Sequence, residues 1–109
     1  MALLKGTLDV LVLKALSWGP MHGFEIISWL EDRSGGYLAV GDAALLQALH
    51  RMEERALIVA EWGVTKNGRR ARYYEMTTAG RGHLRAESKA LTEHVTALTT
   101  ILTARSAAR

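Results

Sequence analysis

The feature that most limits what this chain can become lies near its end. Leu84, Ser88, Leu91, Val95, Leu98 and Leu102 recur at alternating spacings of four and three, the a/d-type stripe of a helix that packs along another helix, with one polar break at Ser88. Thr77 offers an N-cap hydroxyl, and the pattern predicts a helix from about Thr78 to about Ala104, roughly 40 Å long at about 1.5 Å per residue. The whole chain has only 109 residues, and a compact domain of about 100 residues has a radius of gyration of about 13 Å. The helix must therefore project beyond its own domain, and its stripe needs a cover. The simplest cover is the same helix from a second copy, together with a broad apolar first helix. A two-fold homodimer is expected, with Leu4, Leu8, Leu84, Leu91, Val95, Leu98 and Leu102 as its contact residues.

Upstream of that helix the chain reads as three shorter helices and a hairpin. Residues 3–17 place Leu4, Leu8, Leu11 and Ala15, and beside them Val12 and Leu16, at helical spacing with a wide apolar arc. Gly19-Pro20 ends this helix, and a second is expected over Met21 to Asp32 with Phe24, Ile27 and Leu30 facing inward, closed by Ser34-Gly35-Gly36. Asp42 is the expected N-cap of a third helix, in which Leu45, Leu49, Met52 and Ala56 form the inner stripe. Two strand-like runs follow, Ile58 to Val64 and Arg69 to Met76, joined through Asn67-Gly68, a strong hairpin signal between β-branched and aromatic residues. Three helices followed by a β-hairpin is the order of a winged helix-turn-helix. The fold class expected is mainly α with a small β-hairpin, divided into a winged helix-turn-helix over 1–77 and a dimerisation helix over 78–109.

The net charge is only +3, so where the charges sit matters more than their sum. Lys66, Arg69, Arg70 and Arg72 fall within seven residues, and no acid occurs from Trp62 to Tyr74. A basic turn alone is commonly a solvated surface. On a hairpin that follows three helices it occupies the place of a wing that meets a phosphate backbone or minor groove, and arginine suits that place because its planar fork binds phosphate bidentately. The third helix would then be the recognition helix. Ala43, Ala44, Gln47, His50 and Arg51 are the side chains able to face a major groove, where Gln pairs with adenine edges and Arg with guanine or phosphate. The expected DNA-binding set is Ala44, Gln47, His50, Arg51, Lys66, Asn67, Arg69, Arg70 and Arg72. The bland reading of the helix residues is the ordinary solvent face of an amphipathic helix.

Other functions find little support. With no cysteine in the chain, disulfides, cysteine nucleophiles, thiolate zinc sites and iron–sulfur clusters are excluded together. His22, His50, His83 and His94 show no metal-ligand spacing, and no Ser/His/Asp set, carboxylate pair or glycine-rich phosphate loop has convincing spacing: Glu31-Asp32 and Glu53-Glu54 are adjacent on helices, point in different directions and read as solvated charge. Neither an enzyme nor a cofactor or metal is expected. The apolar run Val10 to Leu13 is far too short to span a membrane, and a cytoplasmic location is expected. Trp18, Trp29 and Trp62 are expected in the core, the competing reading being a hydrophobic ligand pocket between dimer helices.

Five segments, in order and at compatible spacing, resemble the PadR-type transcriptional regulators, in their short form with one C-terminal helix. They are Gly19-Pro20-Met21-His22-Gly23-Phe24-Glu25-Ile26; Ala48-Leu49-His50-Arg51-Met52-Glu53; Ile58 with Glu61-Trp62-Gly63; Asn67-Gly68-Arg69-Arg70-Ala71-Arg72-Tyr73-Tyr74; and Thr77-Thr78-Ala79-Gly80. The resemblance runs from Leu3 to about Glu87. It implies a winged-helix homodimer, paired through the last helix with help from the first, that binds a palindromic double-stranded DNA operator and usually represses. It further implies a small hydrophobic effector near the dimer interface that releases the DNA, and it places Lys66, Arg69, Arg70 and Arg72 on the wing.

The chain departs from this pattern at two places. Where the family opens its recognition helix with a small hydroxyl residue, Leu, Tyr and Pro, this sequence has Ala44, Leu45, Leu46 and Gln47. Each lost hydrogen bond to phosphate is worth on the order of 1.5–3 kcal/mol. Ala56 stands where the family favours Gly; in a left-handed conformation Ala is disfavoured by roughly 1 kcal/mol. Two functions are thus open: a dimeric sequence-specific DNA-binding transcriptional regulator of the repressor type, or a winged-helix small-molecule sensor or protein-interaction module with weakened DNA binding.

Overall fold

The computed structural model describes residues 6–105; Leu4 and the last four residues of the basic tail lie outside them. The element order is α1 (Thr7–Leu16), β1 (Met21–His22), α2 (Gly23–Arg33), α3 (Asp42–Glu54), β2 (Ile58–Val64), β3 (Arg70–Met76) and α4 (Thr78–Leu102). A mainly helical chain with a small antiparallel sheet, closed by one long helix, is the architecture the apolar spacings foretold.

The core forms where the helices meet the base of the hairpin. Val12, Leu13, Ala15 and Leu16 of α1, Ile26 and Leu30 of α2, and Leu45, Ala48, Leu49 and Met52 of α3 pack against Leu57, Ile58, Tyr74 and Met76. Each helix contributes a stripe of side chains three or four apart, and burying such a side chain stabilises the fold by about 1.5–3 kcal/mol.

The second helix begins later than its sequence implies. Met21 and His22 form a short strand paired with Tyr74 and Tyr73, so the sheet runs β1-β3-β2. His22 caps α2 instead: Glu25 N donates to His22 Nδ1 at 3.4 Å, and His22 N donates to Glu25 Oε1 at 3.1 Å, a reciprocal cap that satisfies two otherwise unpaired donors. The inward face of α2 is then Ile26 and Leu30, with Ile27 half-buried, while Phe24 in the first turn is 74% exposed. Phe24 is not a core residue. Trp18 and Trp62 are likewise exposed, at 67% and 60%, and only Trp29 packs against the core. The two exposed indoles lie under cations, Lys14 over Trp18 and Arg70 over Trp62, so long basic side chains cover their faces instead of apolar ones.

The third helix starts from Gly41, with Asp42 as its first residue and not its cap. Its end decides where the wing begins. Ala56 has φ 58°, Leu57 N donates to Met52 O at 2.9 Å and Ala56 N to Glu53 O at 3.0 Å, the paired bonds of a Schellman turn with a left-handed residue after the cap. The strain foreseen for an alanine here is therefore real.

Thr77 caps α4, its hydroxyl accepting from Gly80 N at 3.0 Å and donating to Ala56 O at 2.7 Å. Gly80 is buried so closely that a Cβ would collide with the carbonyl oxygen of Leu57 and the side chain of Met76. The first turn of α4 is thereby seated on the base of the hairpin. Beyond it the helix leaves the domain: the molecule measures 63 × 28 × 22 Å, with a radius of gyration of 16.3 Å, well above the value of about 13 Å for a compact domain of this size. Leu84 is packed against the core and Leu91 is half-buried, but Val95, Leu98, Ile101 and Leu102 are exposed.

Candidate nucleic-acid interface

The outer face of α3 is built by the same periodicity that buries its inner one. With Leu45, Ala48, Leu49 and Met52 inward, Ala43, Ala44, Leu46, Gln47, His50 and Arg51 are left at the surface. His50 Nε2 lies 3.7 Å from Glu54 Oε2 one turn on.

The wing is a hairpin with Ile58 opposite Met76 at its base and Val64 opposite Arg70 at its end. Its loop is longer than a two-residue Asn-Gly turn. Gly68 N donates to Thr65 O at 2.9 Å and Thr65 N donates to Arg69 O at 2.8 Å, with positive φ confined in this loop to Gly68 at 79°. This is a turn over Thr65 to Gly68 closed by a left-handed glycine, the geometry of a three-residue hairpin loop with a bulge. Lys66, Asn67 and Arg69 stand exposed around it.

Because side chains alternate along a strand, Arg70, Arg72, Tyr74 and Met76 share one face of β3, and the register places Ala60, Trp62 and Val64 beside them. This face looks toward α3. Between the two runs a groove of about 490 Å³ lined by Leu46, Gln47, Leu49, His50, Arg51, Glu53, Arg72 and Tyr74. A second, of about 580 Å³, lies between the start of α2 and the loop, where Phe24, His22 and Tyr73 meet Lys66, Arg69 and Arg70. In it the His22 and Tyr73 rings stand edge to face, 5.3 Å between centroids.

All nine residues singled out for DNA contact reach the surface, but they are not equivalent. Ala44, Gln47, His50, Lys66, Asn67, Arg69 and Arg70 present open side chains. Arg51 is ion-paired with Asp9 of α1 at 2.8 Å, and Arg72 with Glu53 of α3 at 3.0 Å. Arg70 lies 4.6 Å over the Trp62 ring. Trp62 and Phe24 thus belong beside the basic cluster. The period-two pattern of β2 carries the signal for Trp62, since it shares a face with Arg70 near the hairpin's loop.

Among the described residues there is no grouping of three or more His, Cys, Asp or Glu side chains able to hold a metal ion, and no helix is long and apolar enough to cross a membrane.

The family model described as the PadR-like family of transcriptional regulators matches residues 12–86. The chain belongs to this family of transcriptional regulators, a class of DNA-binding winged-helix proteins and not of enzymes. A transcriptional regulator from Clostridium thermocellum is similar in structure, with 20% identity and a TM-score of 0.78 over 88% of this chain and 93% of that one. A PadR-like transcriptional regulator from Bacillus cereus has 22% identity and a TM-score of 0.78 over 93% and 96% of the two chains. Bacillus subtilis PadR, solved in complex with operator DNA, has 18% identity and a TM-score of 0.64, the match covering 72% of this chain and 46% of that one. At these identities the likeness is one of fold.

Proposed function

We propose that this chain is a homodimeric, sequence-specific DNA-binding regulator of the repressor type, acting in the cytoplasm. The observation that carries the reading is the joint placement of the open face of α3 and the Arg72–Tyr74 face of the wing on either side of one groove, with the carboxylate-free wing loop exposed on the same hairpin. The solved complex of the Bacillus subtilis relative with operator DNA supports it. In this reading residues 1–77 are the DNA-binding unit. Ala44, Gln47 and His50 of α3 face a major groove, while Lys66, Asn67, Arg69 and Arg70 meet phosphates, with Arg51 and Arg72 at the margins of the same surface.

Residues 78–109 are the dimerisation segment, carried by α4, which ends at Leu102. Val95 and Leu98, with 51% and 47% of their surfaces uncovered, continue the line of Leu84 and Leu91, and Leu8 of α1 lies half-buried against the core. A second copy laid along this seam covers Leu102 as well and sets two α3 helices toward a palindrome, about 34 Å apart on the duplex. A small hydrophobic effector that enters near the seam and shifts the spacing of the two recognition helices would release DNA.

One observation favours a second reading. The exposed face of α3 offers Ala43, Ala44 and Leu46, which donate no hydrogen bond to a phosphate, and this suits a ligand-sensing or protein-interaction module whose hold on DNA has weakened. Fluorescence anisotropy against duplex DNA from upstream of the chain's own gene and against a shuffled duplex, each at two salt concentrations, separates the two. A regulator binds the upstream DNA preferentially, with affinity falling steeply as salt rises. Weak binding equal on both duplexes rejects it in favour of the second reading.

A further inference from the structure

Two arginines two residues apart on one face of the wing have opposite surroundings. Arg70 lies over the Trp62 ring at 4.6 Å and, among the described residues, has no carboxylate within ion-pair distance. Arg72 sits about 7 Å further from the loop. It donates to both oxygens of Glu53, Nη2 to Oε2 at 3.0 Å and Nη1 to Oε1 at 3.4 Å, and its guanidinium lies 5.9 Å from the centre of the Tyr74 ring. The Glu53 side chain is 24% exposed, so its carboxylate is partly shielded from solvent beside this cation.

For Arg72 to reach a phosphate it must leave Glu53. That step would strip the carboxylate of its partner and turn a bare negative charge toward the DNA. Both consequences oppose it. The pair is also the polar tie between the last turn of α3 and the middle of β3, and a two-bond fork between planar groups fixes angle as well as distance. We infer that Arg72 is a positioning residue: held by Glu53, it sets the angle of the wing to α3 and neutralises no phosphate, leaving Lys66, Arg69 and Arg70 as the wing's contacting cations. The inference rests on the DNA-binding reading for its consequence, though not for the clamp itself.

The slope of log affinity against log salt separates the two roles, because each phosphate contact contributes about 0.9 to it. In the full-length protein, Arg72→Gln should weaken binding to the upstream duplex about fivefold with the slope unchanged. Glu53→Gln should do the same, the double variant should be no worse than either single one, and the charge exchange of Glu53→Arg with Arg72→Glu should recover the loss. A slope shallower by about two per dimer in Arg72→Gln would overturn the inference, as would tighter binding by Glu53→Gln, which would show a masked contact. Hydrogen exchange without DNA tests the clamp independently. Amides of residues 60–74 should exchange faster in both single variants, with those of α1 unchanged. Equal exchange in wild type and variants overturns the inference. Faster exchange in a protein that ignores DNA keeps the clamp and rejects the DNA-binding reading.

Discussion

Arg51 of α3 donates from Nη2 to Asp9 Oδ1 of α1 across 2.8 Å, a bond that joins residues 42 positions apart. Asp9 is the buried charged residue among the described residues, its side chain 10% exposed, while half of the Arg51 side chain remains in solvent. The helix proposed to enter the DNA groove is thereby fixed to the helix proposed to share the dimer seam.

The asymmetry of that pair predicts unequal losses. Arg51→Met leaves the enclosed carboxylate without a cation and should cost about 2–3 kcal/mol, less than for a fully buried pair because the guanidinium is half exposed. Asp9→Asn keeps an acceptor for Arg51 and should cost about 1 kcal/mol. Urea unfolding at a single protein concentration checks the order; equal losses would show that Asp9 gains little from its partner.

Ala56 gives a prediction of opposite sign. Its φ of 58° brings Cβ close to the following carbonyl, a strain of about 1–2 kcal/mol that glycine does not feel. Glycine gives back part of this through a more flexible unfolded chain. Ala56→Gly should stabilise the protein by about 1 kcal/mol and raise its Tm by a few degrees. A lower Tm would mean that the Schellman turn rests on the methyl group's contacts and not on backbone geometry.

The exposed stripe of α4 makes the oligomer testable. If Leu91 and Leu98 lie in a seam between copies, Leu91→Asp or Leu98→Asp buries an unpaired charge there and should give a monomer. Light scattering coupled to size exclusion reads the mass directly. Leu98, clear of the domain's own packing, is the cleaner site, because Leu91 also lines a small groove with Thr7 and Val10 of α1. A dimer mass retained by Leu98→Asp places the interface elsewhere.

The parts legible in the sequence are those that local pattern determines. The apolar spacings of α1, α3 and α4, the Thr77 cap and the hairpin around Gly68 each follow from a few neighbouring residues. The strand at Met21–His22 was not legible, because two residues become a strand only when Tyr73 and Tyr74 arrive beside them. That pairing moved the start of α2 and turned Phe24 outward. The exposed tryptophans escape a sequence reading for a related reason: hydrophobicity points inward, whereas Trp18 and Trp62 stay mostly in solvent with Lys14 and Arg70 each over one ring face. Arg51 and Arg72 were recognised as surface cations, but their acidic partners lie 42 and 19 residues away, a separation that no local spacing rule detects.

The last prediction concerns the face that meets DNA. Ala44 and Leu46 are exposed on the first turns of α3, where a hydroxyl at either place could reach a phosphate oxygen. Ala44→Ser with Leu46→Tyr adds two such donors, and each hydrogen bond to a charged group contributes on the order of 1.5–3 kcal/mol when well formed. The pair should tighten binding to the upstream duplex by at least about tenfold, measured by anisotropy at fixed salt. The fold should tolerate both changes, since neither side chain is in the core. If wild-type affinity is already high and the double variant leaves it unchanged, α3 has not been weakened by its apolar face, and the reading of the chain as a sensor that has lost its hold on DNA fails.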